Sequence, residues 1–179
     1  MRSQMIAAAG AVAMLLAAVP VSSASSSDTN TTFTVTSGLL SISSPASKAL
    51  GAGPPNGTIT SQLGAVTVSD ARGVLNGSWT ATVSATDFTS GGGTPAETIP
   101  KPNVSYWSGT ATASSGVGVF APGQATALNA QALGITRTAF SASVVVGNNS
   151  VTWNPTIVVS VPAAAVAGDY AGVITHSVS

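Results

Sequence analysis

Ser78-Trp79-Thr80-Ala81-Thr82-Val83-Ser84-Ala85-Thr86 is the stretch on which the fold turns. Trp79, Ala81, Val83 and Ala85 alternate with Thr80, Thr82, Ser84 and Thr86. Successive side chains of an extended strand point to opposite faces, so this run packs one row inward and shows hydroxyls on the other. Threonine suits that outer row because its branched Cβ fits the pleat and its hydroxyl stays hydrated without charge. The run from Val151 to Val161 repeats the scheme, with Val151, Trp153, Ile157, Val159 and Val161 sharing one parity. Pro155 interrupts it and has no N–H for a ladder, which predicts an edge strand or a bulge there.

Working outward, strand-like runs cover Thr32–Thr36, Leu39–Ser43, Thr58–Gln62, Ala65–Ser69, Val104–Thr112, Thr138–Val146 and Tyr170–Val178. Ala125–Leu133 is the one stretch with helical composition and is read as a weak strand. Asn76-Gly77 and Asn148-Asn149 suit tight turns between strands. Pro45–Gly57, Thr89–Pro102 and Ser114–Gly123 read as loops. Many short strands with regular turn signals and almost no helical period predict an all-β chain folded as one mainly antiparallel β-sandwich.

Arg2, the apolar run Met5–Val21 and the small residues Ser22-Ser23-Ala24 together have the pattern of an export signal. The expected division is residues 1–24 as a cleaved signal peptide, 25–31 as a flexible lead and 32–179 as the β-sandwich. Cleavage leaves roughly 155 residues, enough for one domain with a real core. The mature chain is expected to carry no integral membrane segment, since a spanning helix needs roughly 20 apolar residues.

Charge is scarce: five Lys and Arg balance five Asp and Glu, and charged residues are 6% of the chain. A nucleic-acid binder needs clustered Lys and Arg, so nucleic acid is not an expected partner. The chain has no cysteine, which excludes disulfides, thiolate metal sites and thiol catalysis. His176 is the only histidine and shares parity with Ile174 and Val178 on the apolar face, which predicts a packed structural role. Asp87 and Glu97 flank Gly91-Gly92-Gly93 and could meet as the facing carboxylates of a glycosidase, but loop solvation or a turn hydrogen bond is the expected use of each. In Asp70-Ala71-Arg72-Gly73 the carboxylate is expected to bond backbone and to pair with Arg72. No catalytic residue, metal site or cofactor is expected.

The aromatic residues are the candidate binding groups. Trp79, Tyr106, Trp107 and Trp153 offer flat rings of the kind that stack on sugars. Trp79 and Trp153 lie on apolar rows and are expected to fill the core, whereas Trp107 lies on the opposite parity to Val104 and Tyr106, with Ser105 and Ser108 nearby.

The order of motifs resembles WxL-domain proteins of Gram-positive cell surfaces. Val68-Ser69-Asp70-Ala71-Arg72-Gly73, Gly77-Ser78-Trp79-Thr80-Ala81-Thr82-Val83 and Asp87-Phe88 resemble the first block of that family. Ala167-Gly168-Asp169-Tyr170-Ala171-Gly172-Val173-Ile174-Thr175-His176-Ser177-Val178 resembles its closing block. The two Trp-x-Leu triplets correspond to Trp79-Thr80-Ala81 and His176-Ser177-Val178, so the second tryptophan is replaced by His176. The resemblance implies an immunoglobulin-like or WxL-like sandwich, secreted and held non-covalently to the wall, with peptidoglycan or another wall polymer as ligand. Two non-enzymatic roles are therefore expected: a module binding wall polymer, or a structural or adhesive subunit that joins other surface proteins through exposed strand edges. A hydrolase centred on His176 ranks third.

Overall fold

The structure is a computed structural model and describes residues 27–179. The expected signal peptide and the first residues of the lead lie outside those described. Twelve strands follow in order: β1 (Leu40–Ser43), β2 (Thr58–Gln62), β3 (Val66–Asp70), β4 (Leu75–Ala85), β5 (Phe88–Thr89), β6 (Thr98–Ile99), β7 (Val104–Trp107), β8 (Ala111–Pro122), β9 (Gln131–Ala132), β10 (Arg137–Trp153), β11 (Thr156–Ser160) and β12 (Ile174–Val178). All named pairings are antiparallel, and the expected all-β sandwich architecture is found. Among the described residues no helix is long and apolar enough to cross a membrane.

β10 organises the larger sheet. Ala142 pairs with both Trp79 and Phe120, and Ser150 pairs with both Ser69 and Ser115. One side of β10 thus carries β8 along most of its length, while β4 and β3 lie end to end along the other. β12 adds to the outside of β4 and β1 to the outside of β3. The smaller sheet has the order β2-β11-β7-β9, and β5 with β6 forms a short hairpin.

The two sheets share three strands of chain. β3 follows β2, β11 follows β10 and β8 follows β7, and the pairing order β3-β10-β8 on one side of the bend becomes β2-β11-β7 on the other. One three-stranded ribbon therefore folds over itself at residues 63–65, 154–155 and 108–110, as strands do when they switch sheets at a corner. Gly64 (φ 102°) and Gly109 (φ 71°) adopt left-handed backbone at two of these bends. At the third, Asn154 Oδ1 accepts the Gly64 N–H at 3.0 Å and the Pro155 carbonyl accepts the Leu63 N–H at 2.9 Å. Within the fold, Val66, Val68, Trp79, Val83, Val104, Tyr106, Phe140, Val151, Trp153 and Ile157 form one apolar cluster.

Several sequence expectations are corrected by this arrangement. Val151–Val161 is not a single strand: Pro155 marks the change of sheet, and β11 beyond it is an inner strand between β2 and β7. Ser114–Gly123, read as a loop, lies almost wholly in β8, because Gly116 and Gly118 serve close backbone approach to β10 and not a turn. Asn76-Gly77 and Asn148-Asn149 are not hairpin turns. Asn76 (φ 56°) is an extra residue between Leu75 and Gly77, which pair with consecutive partners Val146 and Val145, and so forms a bulge inside β4. Asn148 and Asn149 lie within β10 beside Gly147 (φ 67°). Ala125–Leu133 holds a three-residue 3-10 turn, Ala127–Asn129, and a two-residue strand, with irregular chain between. Thr32–Thr36 belongs to no strand, with Phe33 90% and Val35 81% exposed.

Candidate functional site

Around Asp70 the fold builds a buried polar clip. β3 ends at Asp70 opposite Asn149 of β10, and the turn that follows brings Arg72 back over its carboxylate. Arg72 donates from Nε to Asp70 Oδ1 at 2.8 Å and from a terminal nitrogen to Oδ2 at 2.9 Å, and the latter nitrogen also reaches the Ser78 carbonyl at 2.9 Å. The Arg72 N–H bonds Oδ1 as well, as the sequence reading expects of this turn. Asn149 donates to Asp70 Oδ2 at 3.2 Å and accepts the Trp79 indole N–H at 3.0 Å. The Arg72 hydrogen bonds hold the Asp70 carboxyl down to about 2, against the opposing effect of burial. Asp70 in turn raises the Arg72 guanidinium. A carboxylate saturated by donors is a poor base, so this cluster braces structure.

A second cluster lies at the ribbon's bend. The Trp153 indole donates to the Tyr106 hydroxyl at 3.1 Å, and that hydroxyl lies 3.3 Å from His176 Nε2. Phe140 stacks on Trp153 with ring centroids 5.0 Å apart. Burial pushes His176 down to about 4 and the Tyr106 phenol upward. His176 is therefore neutral near pH 7 and packed against two aromatic rings. Its place opposite Val83 sets it beside the first motif block, and Val178 pairs directly with Ala81. The stretches Trp79–Ala81 and His176–Val178 thus lie on neighbouring strands, β4 and β12.

The acidic residues flanking the triple glycine are engaged by separate donors, Asp87 by a backbone N–H 14 residues away and Glu97 within its own turn. Asp87 Oδ1 accepts the Lys101 N–H at 2.7 Å, whereas Glu97 Oε2 accepts the Thr94 N–H at 3.0 Å and its hydroxyl at 2.8 Å. The Thr94 donors hold the Glu97 carboxyl below the usual carboxylate range. Among the described residues no three His, Cys, Asp or Glu side chains gather as metal ligands would. A groove of about 740 Å³ runs between the 46–55 loop and residues 165–172, floored by Ile59, Phe88, Ile99 and Val159. Lys48 and Asp169 are the charged side chains on its lining.

Of the four candidate aromatics, three lie in the core. Trp79 is 2% exposed, and Tyr106 and Trp153 are fully buried. Their polar atoms are used inside the protein, and their faces are not open to a stacking sugar. Trp107 at the end of β7 is the half-buried one.

The remaining feature is the outer side of β8. This strand is twelve residues long, pairs with β10, and has no partner on its other side among the described residues. Its sequence, Ala-Thr-Ala-Ser-Ser-Gly-Val-Gly-Val-Phe-Ala-Pro, carries no charge. Val117 and Val119 stand more than 60% exposed. Val146 of β10 pairs with both Val117 and Leu75, so three exposed apolar side chains cross three neighbouring strands in one row. The row stops at the open edge. An unpaired edge offers N–H and C=O groups that another strand can take up, and edges are commonly blunted by lysine, proline or inward charge. Here only Pro122, at the strand's last position, is of that kind. Sequence reading missed this edge because its two central glycines look like loop residues. The period-two spacing of Val117, Val119 and Ala121 was the signal that could have found it.

No family model, no curated protein and no solved structure matches this chain.

Proposed function

We propose that the chain is an exported, non-enzymatic surface subunit that assembles through the open edge of β8. The observation that supports this reading is twelve residues of unpaired, uncharged edge strand, bordered by an exposed valine row. The titratable groups weighed for chemistry, His176, Asp87 and Glu97, are engaged in internal bonds. Strand addition is a common means of joining protein chains, with main-chain hydrogen bonds supplying affinity and alternate side chains supplying selectivity. Sedimentation velocity over a concentration series tests the reading. The protein is expected to associate as concentration rises, and Val119→Lys to abolish that association. A wild-type chain that stays monomeric near millimolar concentration would overturn it.

Binding of wall polymer is the second reading, supported by the export-type leader and the WxL-like blocks. The half-buried Trp107 is the aromatic of the four best placed to stack on a sugar. Pelleting with washed peptidoglycan is expected to retain the protein, with Trp107→Ala releasing most of it; a wild-type protein left in the supernatant at modest salt would remove this reading.

A further inference from the structure

We infer that the strand which completes β8 is the N-terminal arm Thr31–Thr36 of a second copy, so that copies join arm to edge in a head-to-tail series. This rests on the edge-assembly reading above and names the partner in it.

Three observations lead to the arm. Its sequence, Thr31-Thr32-Phe33-Thr34-Val35-Thr36, has strict strand alternation, with two apolar residues on one parity and hydroxyls on the other. Yet in the structure it belongs to no strand, and Phe33 and Val35 are 90% and 81% exposed. A strand-patterned segment left unpaired and an unpaired strand edge are complementary needs in one chain. The apolar patterns also match. Val117 and Val119 recur at every second residue, as Phe33 and Val35 do, so an antiparallel arm in register sets these side chains opposite one another on one face. That would extend the Leu75–Val146–Val117 row by one strand. Neither the arm nor β8 carries a charge, so no like-charge pair opposes the match.

The arm's attachment point excludes its own edge. Gly38 is fixed beside β3, its N–H donating to the Ala71 carbonyl at 2.8 Å, while Ala71 donates back to the Leu39 carbonyl at 2.9 Å. A strand added outside β8 lies four strand spacings from the β1 row, about 19 Å away. From Gly38 to Thr36 the extended chain covers only about 7 Å. An arm held there must find the edge of another copy. Because arm and edge are different surfaces, each copy keeps one of each free after joining, and such heterologous contacts propagate into rings or open filaments.

The absence of native cysteine makes a direct test simple. Val35→Cys and Val117→Cys single variants are purified, mixed and oxidised under mild conditions. Paired strands bring opposed side chains within disulfide range, so a mixed dimer is expected from the mixture. The double variant Val35→Cys/Val117→Cys is expected to give a ladder of covalent multimers. Adding Phe33→Asp to the double variant should abolish the ladder, with the melting temperature unchanged. If Val117→Cys instead forms only its own homodimer and Val35→Cys stays monomeric, edges pair with edges; the arm inference falls while edge assembly stands. If no variant cross-links and the wild-type protein sediments as a monomer, both fall.

Discussion

β4 and β8 flank β10 on opposite sides and are built from much the same materials. Each is a long uncharged strand of Ala, Ser, Thr, Val and Gly carrying one aromatic ring, Trp79 in β4 and Phe120 in β8. Those two rings approach each other, with centroids 6.5 Å apart. Burial separates the strands sharply. In β4 Trp79, Ala81 and Val83 are buried in strict alternation, whereas β8 has no buried residue. β4 has β12 along its outer side and the Asp70 clip at its start, and β8 has no described neighbour beyond it. Composition thus makes a strand; what lies beyond it decides whether that strand is interior or interface.

The comparison is broken most strongly from the core side. Trp153→Ala removes a fully buried indole stacked on Phe140 and deprives the Tyr106 hydroxyl of its donor. A loss of about 3–5 kcal/mol is expected in denaturant unfolding, as for other large-to-small changes of buried aromatics. A loss below about 1 kcal/mol would show that the bend is not the centre of the core.

Acid should act next, in two stages on the β4 side. His176 is lowered to about 4 in the folded protein, while an unfolded imidazole titrates near 6.5. Between those values the unfolded chain binds the extra proton, so stability is full above pH 6.5 and falls by about 2–3 kcal/mol on the way to pH 4. Asp70 is lowered from 3.8 to about 2, so its contribution of about 2 kcal/mol is present above pH 4 and is lost as pH falls toward 2. His176→Gln should flatten the upper stage alone and Asp70→Asn the lower stage alone, read as melting temperature against pH. A single slope unaffected by His176→Gln would mean that the imidazole is hydrated in the folded protein.

The smallest effect sharpens the contrast. Val119→Lys, on the open side of the sheet, is expected to change stability by less than about 0.5 kcal/mol while ending association. A variant as damaging as Trp153→Ala would place β8 among the packed strands.

Much of this architecture was legible because alternation survives where both faces of a strand differ. Thr58–Gln62 and Ser78–Ala85 read directly, since one parity meets the core and the other meets water. β10 was harder. Ala139 with Phe140 are both buried and Ser143 with Val144 both exposed, because extra residues at these points reset the parity. A bulge such as Val144 (φ 54°) follows from its partner's register, which no local pattern reports. The Asp70–Arg72 turn was visible as neighbours in sequence, but the bonds of Asn149 to Asp70 and Trp79 cross 79 and 70 residues. Trp79 and Trp153 read as core from their apolar rows, and both are buried; for Trp107, parity names a face without saying what covers it.

The folded-over ribbon also governs how the molecule comes apart. Three stretches of backbone belong to both layers, so unravelling one layer pulls the hydrogen bonds of the other out of line. Neither can survive as a half-protein. Loss of structure should be all-or-none from Thr58 through Ser160, with only the arm and surface loops opening on their own.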